Sequence, residues 1–256
     1  MGVRGVSEPP GILSMQHLHR RRSRSDSIYA DMRRRILSLE LPPGTILNDR
    51  ELSERYGTSR TPVRDAVQQL AQDGLVHVAP QFATFVTPFD PIAVRQAHFL
   101  RINLETPLIK QLCAREALDL TPARRLIARQ RLALEGNDFI GFLGLDDAFH
   151  HALFELEEMG EIWMLIQSRK AQLDRLRYLL AIEHGQVFHP IEQHGAIVDA
   201  IEAHDTRAAL DVLRVHVSGS VQRVDGMAAK HPDLFRWPAT RELARSSRGG
   251  LRDTQT

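Results

Sequence analysis

The sequence predicts a mainly α protein in two parts, a short N-terminal block of three helices with a β hairpin and a longer antiparallel helical bundle. Three observations predict it. Two short helical patterns meet at Gly57, the arrangement of a helix-turn-helix, and two short runs rich in β-branched and aromatic residues follow them. From about residue 90 onward the apolar residues keep a helical period and no strand pattern appears.

Residues 1–24 mix Gly, Pro, Ser, His and Arg without a period and are expected to form a disordered basic tail; Met15 is an alternative start to Met1. Ile28, Met32, Ile36 and Leu37 then fall at helical spacing behind a Ser/Asp cap, and Leu41-Pro42-Pro43-Gly44 closes that helix. Arg50 to Tyr56 is a short helix ended by Gly57. Ser59 opens a second, with Pro62 in its first turn and Val63, Ala66, Val67 and Leu70 on one face, running to Gly74. Leu75-Val76-His77-Val78 and Thr84-Phe85-Val86-Thr87 are the two strands of the hairpin, which completes a domain over 25–88.

After a linker at 89–91, helices are expected at about 91–118, 122–135, 138–157, 160–183, 188–203 and 205–226, separated by Pro, Gly, Asn or Asp. Ile162, Leu165, Ile166, Leu173, Leu176 and Leu180 recur at three and four, so each helix offers one face to a shared core over 92–228. Residues 229–256, with two Pro and a Gly-Gly pair, are expected to be a flexible tail.

Composition excludes several classes. Of 256 residues 43% are hydrophobic and 25% charged, and no apolar run approaches the roughly 20 residues of a membrane span. The single Cys113 cannot form an internal disulfide, and the basic cluster follows the short apolar run at 11–15, the reverse of a secretory signal; a cytoplasmic protein is expected. Net charge is +1, but Arg20, Arg21, Arg22, Arg24, Arg33, Arg34 and Arg35 cluster within sixteen residues against Asp26 and Asp31, a solvated face or a nucleic-acid contact.

Leu41-Pro42-Pro43-Gly44, Arg50-Glu51-Leu52-Ser53, Gly57, the run Ser59 to Leu70, and Asp73-Gly74-Leu75 together resemble the winged helix-turn-helix of the GntR family, ungapped over about 60 residues. Ala83 stands where that family usually has a wing Gly, and Phe82 where a basic residue is common. Farther on, Leu100-Arg101-x-x-Leu104-Glu105, Asp146-x-x-Phe149-His150-x-x-Leu153, His194-x-x-Ile197-x-x-Ala200-Ile201 and His216 resemble the FCD effector-binding domain of the FadR-type subfamily.

Arg60 and Arg64 lie one turn apart at the start of the second motif helix, the end that enters the major groove, where Arg pairs with guanine O6 and N7. The resemblance adds Arg50 to this set; the alternative is a solvated Arg or a salt bridge to Asp65 or Glu54. Ser59 and Thr61 reach phosphate oxygens or simply cap the helix.

Asp146 and His150 are i and i+4 on one helix and converge on a single point, where they suit a divalent ion. His194 and His216 lie on later helices among core-type residues, as satisfied core histidines or as ligands; the resemblance implies that all four hold a divalent metal. Zinc is favoured, with nickel, manganese or iron as alternatives. Three imidazoles and a carboxylate leave room for water or an effector oxygen. Arg101 matches the arginine that approaches the metal in similar domains and would seat a carboxylate, with an ion pair to Glu105 as the alternative. Arg177 is a further pocket candidate. Glu161 stands where the family usually has Asn.

These features imply a ligand-responsive regulator and not an enzyme: a homodimeric repressor on an inverted-repeat DNA operator, released by a small hydroxy or sugar acid. A metal-dependent hydrolase or lyase is the rival, but no His-Glu-x-x-His run occurs and no residue is marked out as a separate general base. A purely structural metal is the third reading.

Overall fold

The computed structural model describes residues 23–79, 83–184 and 190–236. Most of the expected N-terminal tail lies outside them, but its last two residues are structural. Ser23 caps α1 (Arg24–Leu37) in a reciprocal capping box with Asp26. The Arg24 guanidinium donates to the carbonyls of Tyr56 and Gly57 at 3.0 and 2.8 Å, closing the end of α2 (Asp49–Arg55). Between them lies β1 (Ile46–Leu47), a two-residue strand too short to show any alternation in sequence.

α3 (Arg60–Gln72) follows α2 after Gly57, whose φ of 55° is the left-handed turn that makes glycine the natural residue there. Gly74, at φ 71°, ends α3 in the same way. Leu75 lies in this turn and not in a strand; β2 (Val76–Ala79) and β3 (Ala83–Val86) pair antiparallel, and β1 adds to β3, in the order β1-β3-β2. Ile28, Met32 and Ile36 of α1, Val63, Ala66, Val67 and Leu70 of α3, and Leu75, Val76 and Val86 form one buried core. Fully burying each large member contributes about 1.5–3 kcal/mol.

The expected linker is part of the folded body. Phe89 is buried and Asp90 caps α4 (Pro91–Ala114), accepting from the amides of Ile92 and Ala93. The expected flexible C-terminal tail is corrected for its first residues. α11 (Val224–Lys230) and α12 (Pro232–Phe235) are helical, Phe235 stacks on Phe89 with centroids 5.0 Å apart, and the Phe89 amide donates to the Leu234 carbonyl at 2.9 Å. Two aromatics that would otherwise face water hold this segment down. Residues 237–256 lie outside the described set.

The bundle continues with α5 (Thr121–Glu135), α6 (Phe139–Glu155), α7 (Gly160–Gln167), α8 (Ala171–His184), α9 (Pro190–Glu202) and α10 (Thr206–Ser218), then a 3-10 turn at Val221–Arg223. The single helix expected at 160–183 is two, broken at 168–170, because Lys170 turns inward to the carboxylates of Asp147 and Asp174. The apolar period runs through this break, so spacing cannot reveal it. α5 packs on α6, α9 on α10, and α10 on α4, around Leu112, Phe149, Phe154, Trp163, Ile197 and Leu213. α8 is shared: its Ala171 sits in the core of the N-terminal domain, while Leu173 and Leu176 pack with Val94 and Ala97 of α4.

Candidate metal centre and nucleic-acid interface

α6 brings Asp146 and His150 to one face, α9 supplies His194 and α10 His216; one donor atom from each lies within 4.8 Å of all the others. His150 Nε2 and His194 Nε2 are 3.2 and 3.3 Å from His216 Nε2, and His194 Nε2 is 3.5 Å from an Asp146 oxygen. Neighbouring donors around a tetrahedral zinc with Zn–N of about 2.0–2.1 Å are separated by about 3.3 Å.

The opposite nitrogen of each ring has its own acceptor. Glu105 of α4 takes His150 Nδ1 at 3.0 Å, Gln130 Oε1 of α5 takes His194 Nδ1 at 2.8 Å, and Gln193 Oε1 of α9 takes His216 Nδ1 at 3.0 Å. Gln130 Nε2 donates to the Leu145 carbonyl at 3.1 Å, which turns its oxygen toward the imidazole. With the protons on Nδ1, the Nε2 lone pairs of the three rings face one another, with Arg101 Nη2 2.8 Å from that of His150, an arrangement that suits a cation. Phe149 stacks on His194 and Trp163 on His150, holding two rings in plane.

Burial pushes His194 and His216 well below the usual imidazole range, which favours the neutral ligand form. Burial alone would raise Asp146, but the Arg177 guanidinium holds it well below the usual carboxylate range. Glu105 behaves alike: burial opposes ionisation, Arg101 and His150 favour it, and the carboxyl titrates at about 2.

Arg101 is buried, makes the ion pair with Glu105 and also lies beside the cluster. Its Nε donates to Glu105 at 2.6 Å and its Nη2 lies 2.8 Å from His150 Nε2. Arg177 grips Asp146 with two bonds of 2.6 Å each, a closer tie to the cluster than its place in the sequence suggests. Both arginines, with Gln193 and His216, line a cavity of about 530 Å³ that Arg214 and Arg223 also border. Gln130, Gln193 and Trp163 are the site residues that sequence reasoning missed. A buried glutamine carries no motif; the signal exists in three dimensions alone. Glu161, the departure from the family phrase, is exposed.

On α3, Arg60, Thr61 and Arg64 are exposed along one side. Arg64 pairs with Asp49 of α2 at 2.8 Å, not with Asp65, and Arg50 pairs with Glu54 at 3.0 Å. Both pairs are open to water and contribute about 0–1 kcal/mol, so they yield readily to a stronger anion. Ser59 occupies the N-cap position but its side chain accepts no capping hydrogen bond, which leaves the hydroxyl and the first amides of α3 to donate to another acceptor. The described part of the basic cluster is engaged within the chain: Arg33 with Asp174 at 3.0 Å, Arg34 and Arg35 with Glu40. Arg20 to Arg22 and the wing tip at 80–82, Phe82 included, lie outside the described residues.

A winged helix-turn-helix with one side of α3 exposed, joined to a helical bundle with a ligand-sized cavity, is the architecture of a one-chain transcriptional regulator. Comparison with known proteins places it more closely. Residues 24–86 match the family described as bacterial regulatory proteins, gntR family, and residues 96–219 match the FCD domain. An uncharacterized HTH-type transcriptional regulator in an unstable DNA locus of Streptomyces ambofaciens is 36% identical over 224 residues, 86% of this chain and 93% of that protein. The HTH-type transcriptional repressor RspR of Escherichia coli is 30% identical over 219 residues, 82% of this chain and 93% of that protein. Among solved structures, E. coli McbR/YncC has a TM-score of 0.66 at 21% identity, covering 80% of this chain and 98% of that one. The chain belongs to the GntR family, with an FCD domain; it is a DNA-binding transcriptional regulator and not an enzyme.

Proposed function

We propose that this regulator is a cytoplasmic, homodimeric repressor whose hold on an inverted-repeat operator is controlled by a small carboxylate, a hydroxy or sugar acid, bound beside a divalent metal. Asp146, His150, His194 and His216 hold the ion, with zinc favoured over nickel, manganese and iron. The observation that carries this reading is the set of Nδ1 acceptors, Glu105, Gln130 and Gln193, which turns three buried imidazoles toward one point beside a carboxylate.

Such an ion supplies Lewis acidity and an open position for an oxygen ligand. Arg101, close beside His150, and Arg177 give the cavity two guanidinium forks that suit a carboxylate. At the other end Arg50, Arg60 and Arg64 read base edges while Ser59 and Thr61 hold phosphates. Repression is supported by RspR, a transcriptional repressor that is 30% identical over most of both chains.

Elemental analysis of protein purified without a His-tag, followed by operator binding before and after chelation, tests the reading. A bound transition metal whose removal changes the response to a carboxylate supports it. A metal whose removal lowers stability alone, leaving operator affinity and the ligand response untouched, favours a structural ion instead.

A further inference from the structure

The cavity beside the cluster carries more cationic groups than one carboxylate needs. Four guanidinium groups line it, and among the described residues no carboxylate does. Two of them are sheltered and already answer a buried acid: Arg101 of α4 with Glu105, and Arg177 of α8 with Asp146. The other two, Arg214 near the end of α10 and Arg223 in the 3-10 turn that follows, are exposed and form the rim.

The rim pair is poised to take an anion. Arg214 meets Asp211, one turn back on α10, at 2.9 Å, and both side chains are more than half exposed, so water screens the pair and a competing anion displaces it readily. Arg223 Nη1 donates to the Gly219 carbonyl at 3.0 Å, which holds the guanidinium against another residue of the cavity wall. Ser218 and Ser220 add hydroxyls on the same side. A carboxylate seated at the sheltered end leaves this rim to water. A second anionic group on the same molecule reaches two planar forks there, and charge-assisted bonds to guanidinium are roughly twice as strong as those between neutral groups. At about 530 Å³ the cavity has room for a small molecule that spans both ends.

We propose that the ligand of this cavity is a dianion, with one carboxylate at the sheltered end beside the cluster and Arg101, and a second anionic group, carboxylate or phosphate, held at the rim by Arg214 and Arg223. The inference rests on the carboxylate reading above and narrows it to acids charged at both ends. Selectivity follows from the placement of charge. A monoacid of the same length gains nothing from the rim, because no charge of its own reaches Arg214 and Arg223, whereas a diacid binds at both ends. Since the rim is open to water, its share of the affinity falls as ionic strength rises.

Full-length protein loaded with zinc is titrated by calorimetry with gluconate, glucarate and 6-phosphogluconate, sugar acids that differ only at the far carbon, and with lactate and malate as a shorter pair. At least one dianion should bind about tenfold or more tightly than its monoacid; the stronger of glucarate and 6-phosphogluconate identifies the second group as carboxylate or phosphate. The double variant Arg214→Gln with Arg223→Gln should bring the dianions to within about twofold of the monoacids, with zinc content unchanged by elemental analysis, and the corresponding Lys variant should retain most of the preference. Equal binding of monoacids and dianions by the wild type overturns the proposal. A dianion preference that survives in the Gln variant also overturns it, since chelation at the metal alone would then be the cause. If none of the five acids binds, the carboxylate reading itself fails and the proposal falls with it.

Discussion

Gln130 Oε1 lies 2.8 Å from His194 Nδ1, and the same side chain is anchored through its Nε2 to the Leu145 carbonyl, so one buried amide on α5 orients an imidazole on α9 from 64 residues away. Gln130→Ala should leave the fold in place and weaken metal binding about 10- to 100-fold, the range for removing a partner that orients a ligand. A zinc titration against a competing chelator measures it; unchanged affinity would show that stacking on Phe149 alone holds the ring.

His194→Ala and His216→Ala should each lower bound metal and the melting temperature, because the proposed ion ties α6, α9 and α10 together. Less than about a tenth of an equivalent of transition metal in the wild type, with no uptake on adding zinc or nickel, would make these core histidines.

Arg60→Ala and Arg64→Ala should each lose about 1–3 kcal/mol of operator binding and relax base preference, with circular dichroism unchanged. Specific affinity equal to wild type in both would remove them from the reading face. The exposed pair of Arg64 with Asp49 predicts a small change in stability, within about 0.5 kcal/mol.

Arg101→Ala should keep operator binding and lose release by the carboxylate, whereas Asp146→Ala should lose both metal and release. Titrating operator-bound protein with candidate hydroxy and sugar acids checks this. Release of Arg101→Ala at wild-type concentrations would move the effector seat elsewhere in the cavity.

Arg175→Met removes a buried cation that has no carboxylate partner among the described residues, and its melting temperature should stay within about 4 °C of wild type or rise. Hydrogen exchange should instead quicken at residues 87–90, where Arg175 donates to the carbonyls of Thr87 and Pro88 at 3.0 and 3.3 Å. A large loss of stability would assign Arg175 to folding.

Much of this was legible in the chain. Ile28, Met32 and Ile36, or Val63, Ala66, Val67 and Leu70, announce helices because burial repeats with the helical period, and Gly57 and Gly74 mark turns because their φ angles suit residues without a side chain. The Asp146 and His150 pair was visible because four residues is one helical turn. The ordered residues 229–236 and the break at 168–170 were not, since Phe235 and Lys170 are placed by partners distant in sequence, Phe89 and Asp147.

By itself, then, the sequence determined the local elements and the order of the two domains, and it marked the candidates for reading DNA and for binding a metal, all properties that depend on spacing along one helix or strand. Tertiary structure alone decided which nitrogen each histidine offers, that Arg177 grips Asp146, and that α8 bridges the cluster to α1. Hydrogen-bond direction and buried charge pairing depend on atoms brought together from separate helices, and no periodicity along the chain encodes those distances.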